Sequence, residues 1–490
     1  ATIRRQRQMC IRDRTTLLVN GGNADINLTN TTFTNNTTDP TLTVTNGHSG
    51  SIIADSNTNF NTTNGSGFQF NNADGTYTFN GINVFNGGDA GIDIVNGSGG
   101  TFTFGANSSI TNPSGVAFNV NNSAANVNYN GTITQNNAAS AVNISNNTGG
   151  TVTFGGQVTA NTSTANAVRI VNNTSTTNFN AGLNIDTTSG IGLRINGGTV
   201  NVSNVADESI TTESGTALSV TGAGSVANVA LDSITGTNLA GTDGIVLNGT
   251  GGGNISIGSV NLTGGGIDID NHAGTFTVSG TTTVNGAAAS AIDINNIVND
   301  VTFGDVNISG TVGGDGISLS NVNVADIDLT FGNVNIGQGA GDNISGHGIS
   351  IADVNANGAT LATSPIMTFG DVNIDRYTGS GISIVDTVIE AGLGQAQVNF
   401  GSSVIGNALG STANAVQLRG DNIRTSFDSL SIDKNDVAGH GVFFNSSRSN
   451  LDISGGTIEG LIAGSDGILV DSLGSTCLLY TSPSPRDIGE

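Results

Sequence analysis

Three sets of side chains in this sequence could do chemistry. The first is acidic: Asp268 and Asp270 in "GIDID" (Gly266–Asp270), and Asp293 in "AIDI" (Ala291–Ile294). If the two segments lie side by side as strands, Asp268 and Asp293 stack about 4.8 Å apart with Asp270 beside them. Stacked carboxylates repel unless something shares their charge. Ca²⁺ would do so, because a hard cation takes several oxygens, so these three residues are the candidate metal ligands. The second set is His347 in "GHGISI" (Gly346–Ile351), echoed by His440 in "GHGVFF". An imidazole titrates near neutrality and can move protons. The third set is Asp326, Asp328, Asp353, Asp386 and Glu390, which fall in three inserted stretches and make a candidate binding ridge. Phosphate-loop, zinc-protease and nucleophile-elbow patterns are absent.

The elements that must position these groups are repeats. A small residue followed by apolar-x-apolar recurs eighteen times, as "TLLV" at Thr16, "TLTV" at Thr41, "GFQF" at Gly67, "GIDI" at Gly91, "GVAF" at Gly115, "AVNI" at Ala141 and onward to "GILV" at Gly467. Most spacings are 24 to 27 residues, and the three coils that start at Gly316, Gly348 and Gly381 run to 32–34. Each period holds two further alternating runs, clearest in "VTFGDVNI" (301–308), "LTFGNVNI" (329–336) and "MTFGDVNI" (367–374). Alternation with period two means half-buried strands, and the Gly, Asn and Asp between them suit turns. Three short strands in about 25 residues, repeated, specify an all-β chain: a single parallel β-helix of roughly 18 coils with one shared core. At one inter-strand spacing per coil, such a solenoid would be roughly 80 Å long.

The repeat makes positional predictions. Ile92, Ile94, Val142, Ile144, Val168 and Ile170 form an inner column pair, and Phe104, Phe154, Phe179, Phe303, Phe331, Phe369, Phe400 and Phe427 form an aromatic column. Asn46, Asn72, Asn96, Asn146, Asn172, Asn271, Asn296 and Asn321, with Asp353 and Asp386 later, stand five residues past their anchors. Asn tolerates the left-handed backbone that a tight corner needs. The outward position of the anchor strand reads Asp93, Ala117, Asn143, Arg169, Arg194, Ser219, Val246, Asp268, Asp293. His347 occupies the slot just before an anchor, where other coils place Ser114, Ser140, Asp243, Asp315 and Asp466. That favours an architectural His347 over a catalytic one. The long-coil excess falls around 321–328, 353–366 and 386–396; stacked coils would set these loops side by side, and insertions in repeat folds collect on binding faces.

Bulk composition narrows the function classes. The formal charge is −24, which excludes the basic footprint of a nucleic-acid partner. No run of 18 apolar residues suggests a membrane helix. Of 13 Lys and Arg, five lie in the first fourteen residues, and both cysteines, Cys10 and Cys477, lie near the ends. "MCIRDR" and "CLLYTSPSPRD" resemble translated sequencing-adapter read-through at the ends of metagenomic fragments. Residues 1–14 and 477–490 are therefore expected to be non-native, with 15–476 the β-helix.

The repeat resembles the right-handed parallel β-helices of the pectin-lyase-like superfamily. It looks most like the Gly/Asn/Thr-rich surface repeats of autotransporter passengers and filamentous-haemagglutinin-like bacterial adhesins. The resemblance covers residues 15–476. It implies a secreted or cell-surface protein, outer-membrane-associated in a Gram-negative bacterium, with host or environmental glycans or proteins as partners. No cofactor beyond a structural Ca²⁺ is expected.

The alternative within the same fold is a polysaccharide lyase or glycoside hydrolase. "GHGISI" is similar to the histidine motif of polygalacturonase-like hydrolases. The aspartate pair and the downstream "RIK" of that family have no counterpart, since no Asp-Asp pair occurs and Arg169-Ile170 and Arg194-Ile195 lie upstream without a lysine. Pectate-lyase-like enzymes pair Asp-bound Ca²⁺ with a basic residue, and here Arg194 lies three coils from Asp268. One near match to the glycine-rich calcium repeat, "GGDGISLSN" (313–321), has Ser318 where Asp is needed. A third class, an ice-binding solid, would need a Thr-x-Thr ladder in every coil. Thr101/Thr103, Thr151/Thr153 and Thr275/Thr277 begin one that intervening coils break. The expectation is therefore a structural and adhesive solenoid without enzymatic activity.

Overall fold

The computed structural model describes residues 15–471 apart from 90, 206, 323–326, 355–365, 386–395, 410–411, 422 and 447–448. The segments 1–14 and 477–490 therefore lie outside the described residues. So do Asp326, Asp386 and Glu390.

The described residues are all-β and without helix, a parallel β-solenoid of about 17 turns with roughly 25 residues per turn. It divides into two compact units, Ala1–Glu208 and Ser209–Glu490. In the first unit the strand Leu42–His48 lies parallel to Phe68–Ala73, which lies parallel to Ile92–Val95, and so on through Val142–Ser145 to Leu193–Val202. In the second, Ile245–Asn248, Ile267–Asp270, Ile292–Asn295, Ile317–Ser320, Ile349–Ala352 and Ile382–Val385 stack the same way. The anchor strands read buried-outward-buried, so their apolar residues line up coil on coil: Ile92, Ile94, Val142, Ile144, Val168 and Ile170 are all fully covered. No single coil could bury this face; each gains its cover from the next.

One register departs from the repeat reading. Ile92 pairs with Phe118 and Ile94 with Val120, so the fifth anchor strand is Phe118–Asn121 and not "GVAF" at Gly115. The outward residue of that coil is Asn119, and Ala117 is the buried small residue before the strand. A slip of two residues preserves alternation, so both registers satisfy the apolar pattern. Burying Phe118 and Val120 together decides between them.

The corners follow the expected chemistry. Asn46, Asn72, Asn96, Asn146, Asn172, Asn271, Asn296, Asn321 and Asp353 all have φ between 49° and 57°. The corrected register adds Asn122, at 52°. At Gly348, before its anchor strand, the demand for a small residue is steric: a Cβ there would meet Cγ2 of Ile374 at 2.5 Å and the Gly381 carbonyl at 2.6 Å.

The aromatic column is two runs rather than one. In the first unit Phe79 stacks on Phe104, and Phe154 on Phe179, with Tyr129 tilted between. In the second, Phe303, Phe331, Phe369, Phe400 and Phe427 stack at centroid distances of 4.8 to 5.3 Å. Val202 follows Phe179 in register, and Val278 precedes Phe303. Aliphatic side chains of the same face fill those rungs.

Candidate functional site

The acidic set comes into register as expected. Asp268 pairs with Asp293 and Asp270 with Asn295, above the buried Ile267, Ile269, Ile292 and Ile294. Burial first, then the charges of Asp243, Asp293 and Asp270, push the Asp268 carboxyl up to about 6. Asp293 is also raised, mainly by burial, although the Ser318 hydroxyl bonds to it and works the other way. Asp270 is tied into the corner: the amides of Asn271 and Asn295 donate to its Oδ1 at 2.6 and 2.9 Å. Among the described residues, no group of three or more His, Cys, Asp or Glu is gathered so as to hold a metal ion. The stack thus has the electrostatic strain that a cation would relieve, while one of its three carboxylates already serves the amide ladder.

His347 stands in a line of corner acceptors that runs from coil to coil. Ser290 Oγ accepts the Asp315 N–H at 3.2 Å, Asp315 Oδ1 accepts the His347 N–H at 2.6 Å, and His347 Nδ1 accepts the Ser380 N–H at 2.7 Å. Near the end of the second unit the line recurs, with Asn414 accepting from His440 and His440 Nδ1 accepting from Asp466. Each side chain caps the backbone of the following coil. An accepting Nδ1 assigns the imidazole proton to Nε2.

Of the ridge, Asp328 and Asp353 are described. Asp328 opens the strand Asp328–Phe331, exposed, with its N–H on Asp300 Oδ1 at 3.0 Å. Asp353 holds the left-handed corner after Ile349–Ala352, and its N–H meets the Val385 carbonyl at 3.0 Å. The three remaining ridge residues lie outside the described residues.

One stretch of Thr-x-Thr face lies in the first unit, and in the second Thr277, Thr302, Thr330 and Thr368 stand in register as a single threonine column. Thr101 and Thr103 pair with Thr76 and Thr78 on one side and with Asn126 and Asn128 on the other. Asn128 then pairs with Thr153. A shallow open depression of about 480 Å³ lies over these rungs. The ladder is polar and uncharged, and asparagine interrupts its threonines.

Sequence reading missed a third line of polar residues, on the anchor strands of the first unit. Gln69 Nε2 donates to Asp93 Oδ2 at 2.7 Å, and Asn119 Nδ2 to Asp93 Oδ1 at 2.8 Å. Asn143 Nδ2 donates to Asn119 Oδ1 and Arg169 Nη1 to Asn143 Oδ1, both at 2.7 Å. In the "GVAF" register Ala117 takes the place of Asn119, and the line is interrupted there.

Comparison with protein families, curated proteins and solved structures finds no match to the chain.

Proposed function

We propose that the chain is a structural and adhesive β-solenoid of a secreted or surface-displayed protein, one that presents polar faces to glycans or proteins. The observation that carries this reading is how the reactive residue types are used. The histidine of "GHGISI" accepts a backbone N–H of the next coil, and the corner carboxylates Asp270 and Asp315 are likewise bonded to neighbouring coils. Groups that a lyase or hydrolase would aim at a substrate serve coil stacking here. An acidic surface also keeps a repetitive β-protein dispersed. The inserted stretches around 321–328, 353–366 and 386–396, with Asp328 and Asp353 the described members, are the proposed contact ridge.

The test is retention of the chain on bacterial or host cell surfaces and on a polysaccharide panel, before and after the three insertions are cut to short turns. We expect retention to fall on the shortened chain while its β-sheet circular dichroism is kept. Equal retention would remove the ridge from the account.

A further inference from the structure

Residues 15–476 contain only seven Lys or Arg. Two of them, Arg169 and Arg194, sit in register on neighbouring parallel strands, Val168–Phe179 and Leu193–Val202, inside the first unit. Both project outward and half-buried, between the buried pairs Val168/Ile170 and Leu193/Ile195. In-register residues on adjacent strands are about one inter-strand spacing apart, and like charges placed directly opposite destabilise the pair. The proximity is felt: beyond its own burial, the Arg194 charge holds the Arg169 guanidinium below its ordinary range.

Nothing in the described residues neutralises the pair. The one close approach of a basic to an acidic side chain among them, His440 Nδ1 with Asp466, is elsewhere. The side-chain bond made by Arg169 goes to the neutral oxygen of Asn143. Asp93 shares the same face but is three coils away along the line Asp93–Asn119–Asn143–Arg169, and the amides of Gln69 and Asn119 already occupy it. Each guanidinium carries five donors in a rigid planar fork, so most of the pair's donors have no acceptor on this face.

A purely architectural role does not need this arrangement. Asn119 and Asn143 continue the ladder with neutral amides and no charge. Two stacked cations in a chain of net charge −24 are instead what a bridging anion requires. Planar guanidinium forks match the paired oxygens of carboxylate, sulfate and phosphate groups.

We propose that Arg169 and Arg194 form an oxyanion-binding site on the anchor-strand face of the first unit, with the ligand's oxygens bridging the two guanidiniums. The proposal stands independently of the adhesive reading, whose ridge is in the second unit.

Thermal unfolding of the full chain in sodium sulfate, against sodium chloride at matched ionic strength, tests it together with calorimetric titration of sulfate. Wild type should show saturable sulfate binding and a rise in Tm specific to sulfate. Arg194→Gln should weaken that binding by about tenfold or more, the loss expected for charge-assisted bonds, and Arg169→Gln with Arg194→Gln should abolish it. In low-salt chloride, Arg194→Gln should melt no lower than wild type, because removing one of two stacked like charges relieves repulsion. A lower melting point there would mark the pair as structural and overturn the site. Dextran sulfate, carboxymethyl dextran and neutral dextran identify the source of the anion. Tighter, Arg-dependent binding of either charged polymer assigns a polymer-borne sulfate or carboxylate. Arg-dependent binding of inorganic sulfate alone assigns a free ion. No saturable binding by any anion, or binding unchanged in the double variant, contradicts the proposal.

Discussion

His347 illustrates how a residue's role depends on its neighbours in space. Its Nδ1 accepts the Ser380 N–H at 2.7 Å, the same service that Asp315 performs one coil earlier. Losing one such acceptor should cost about 1 kcal/mol. His347→Ala is expected to lower stability by that amount in chemical denaturation, and His347→Asn, which keeps a short acceptor, to recover most of it. Equal losses in both variants would remove the capping role. Asp268 carries a different signature. Its carboxyl is raised to about 6, first by burial and then by Asp243, Asp293 and Asp270. The folded chain therefore binds this proton more readily than the unfolded chain does. Its contribution favours the fold in acid and is lost as pH rises from about 4 through about 6. Asp268→Asn should melt above wild type at pH 7 and level with it near pH 4, with a gain of roughly 1 kcal/mol or less because the site is half-exposed. If Ca²⁺ shares that charge, calcium chloride at pH 7 should raise the wild-type Tm and leave Asp268→Asn unmoved. Equal melting of the two proteins at both pH values would contradict the strain assigned to the stack.

At the scale of strands and corners, most of the architecture was legible in the sequence, for a physical reason. Period-two alternation fixes which side chains face inward, and an Asn five residues past the anchor fixes the left-handed turn; both are local. Asn271 and Asn296 hold φ of 52° and 49°, and the Asn296 amide bonds Asn271 in the coil before. Register was less legible. "GVAF" and the true strand Phe118–Asn121 share the same alternation, and pairing with Ile92 and Ile94 separates them. The aromatic column failed as a single run for a related reason, since a face that needs only bulk and apolarity accepts Val202 or Val278 as well as Phe. The sites were legible only in part. The acidic stack follows from register alone, so Asp268 over Asp293 could be anticipated. The Gln69–Asp93–Asn119–Asn143–Arg169 line depends on side-chain conformations across five coils, and one slipped rung hides it.

For the molecule as a whole, a chain of formal charge −24 forms about 17 turns of one repeat, and the turns bury their apolar residues only by stacking. The outward faces differ along the chain: a Thr/Asn face and an amide–guanidinium line in the first unit, a threonine column, an acidic stack and the insertions in the second. Our proposal is that such faces hold ligands without turning them over. The most direct test incubates the full chain with acidic and neutral polysaccharides and measures, in the same samples, polymer retained on the protein and new chain ends released. The account predicts saturable retention with no new ends above a protein-free control. Catalytic release of unsaturated or reducing ends, lost in His347→Ala or Asp268→Asn, would contradict it.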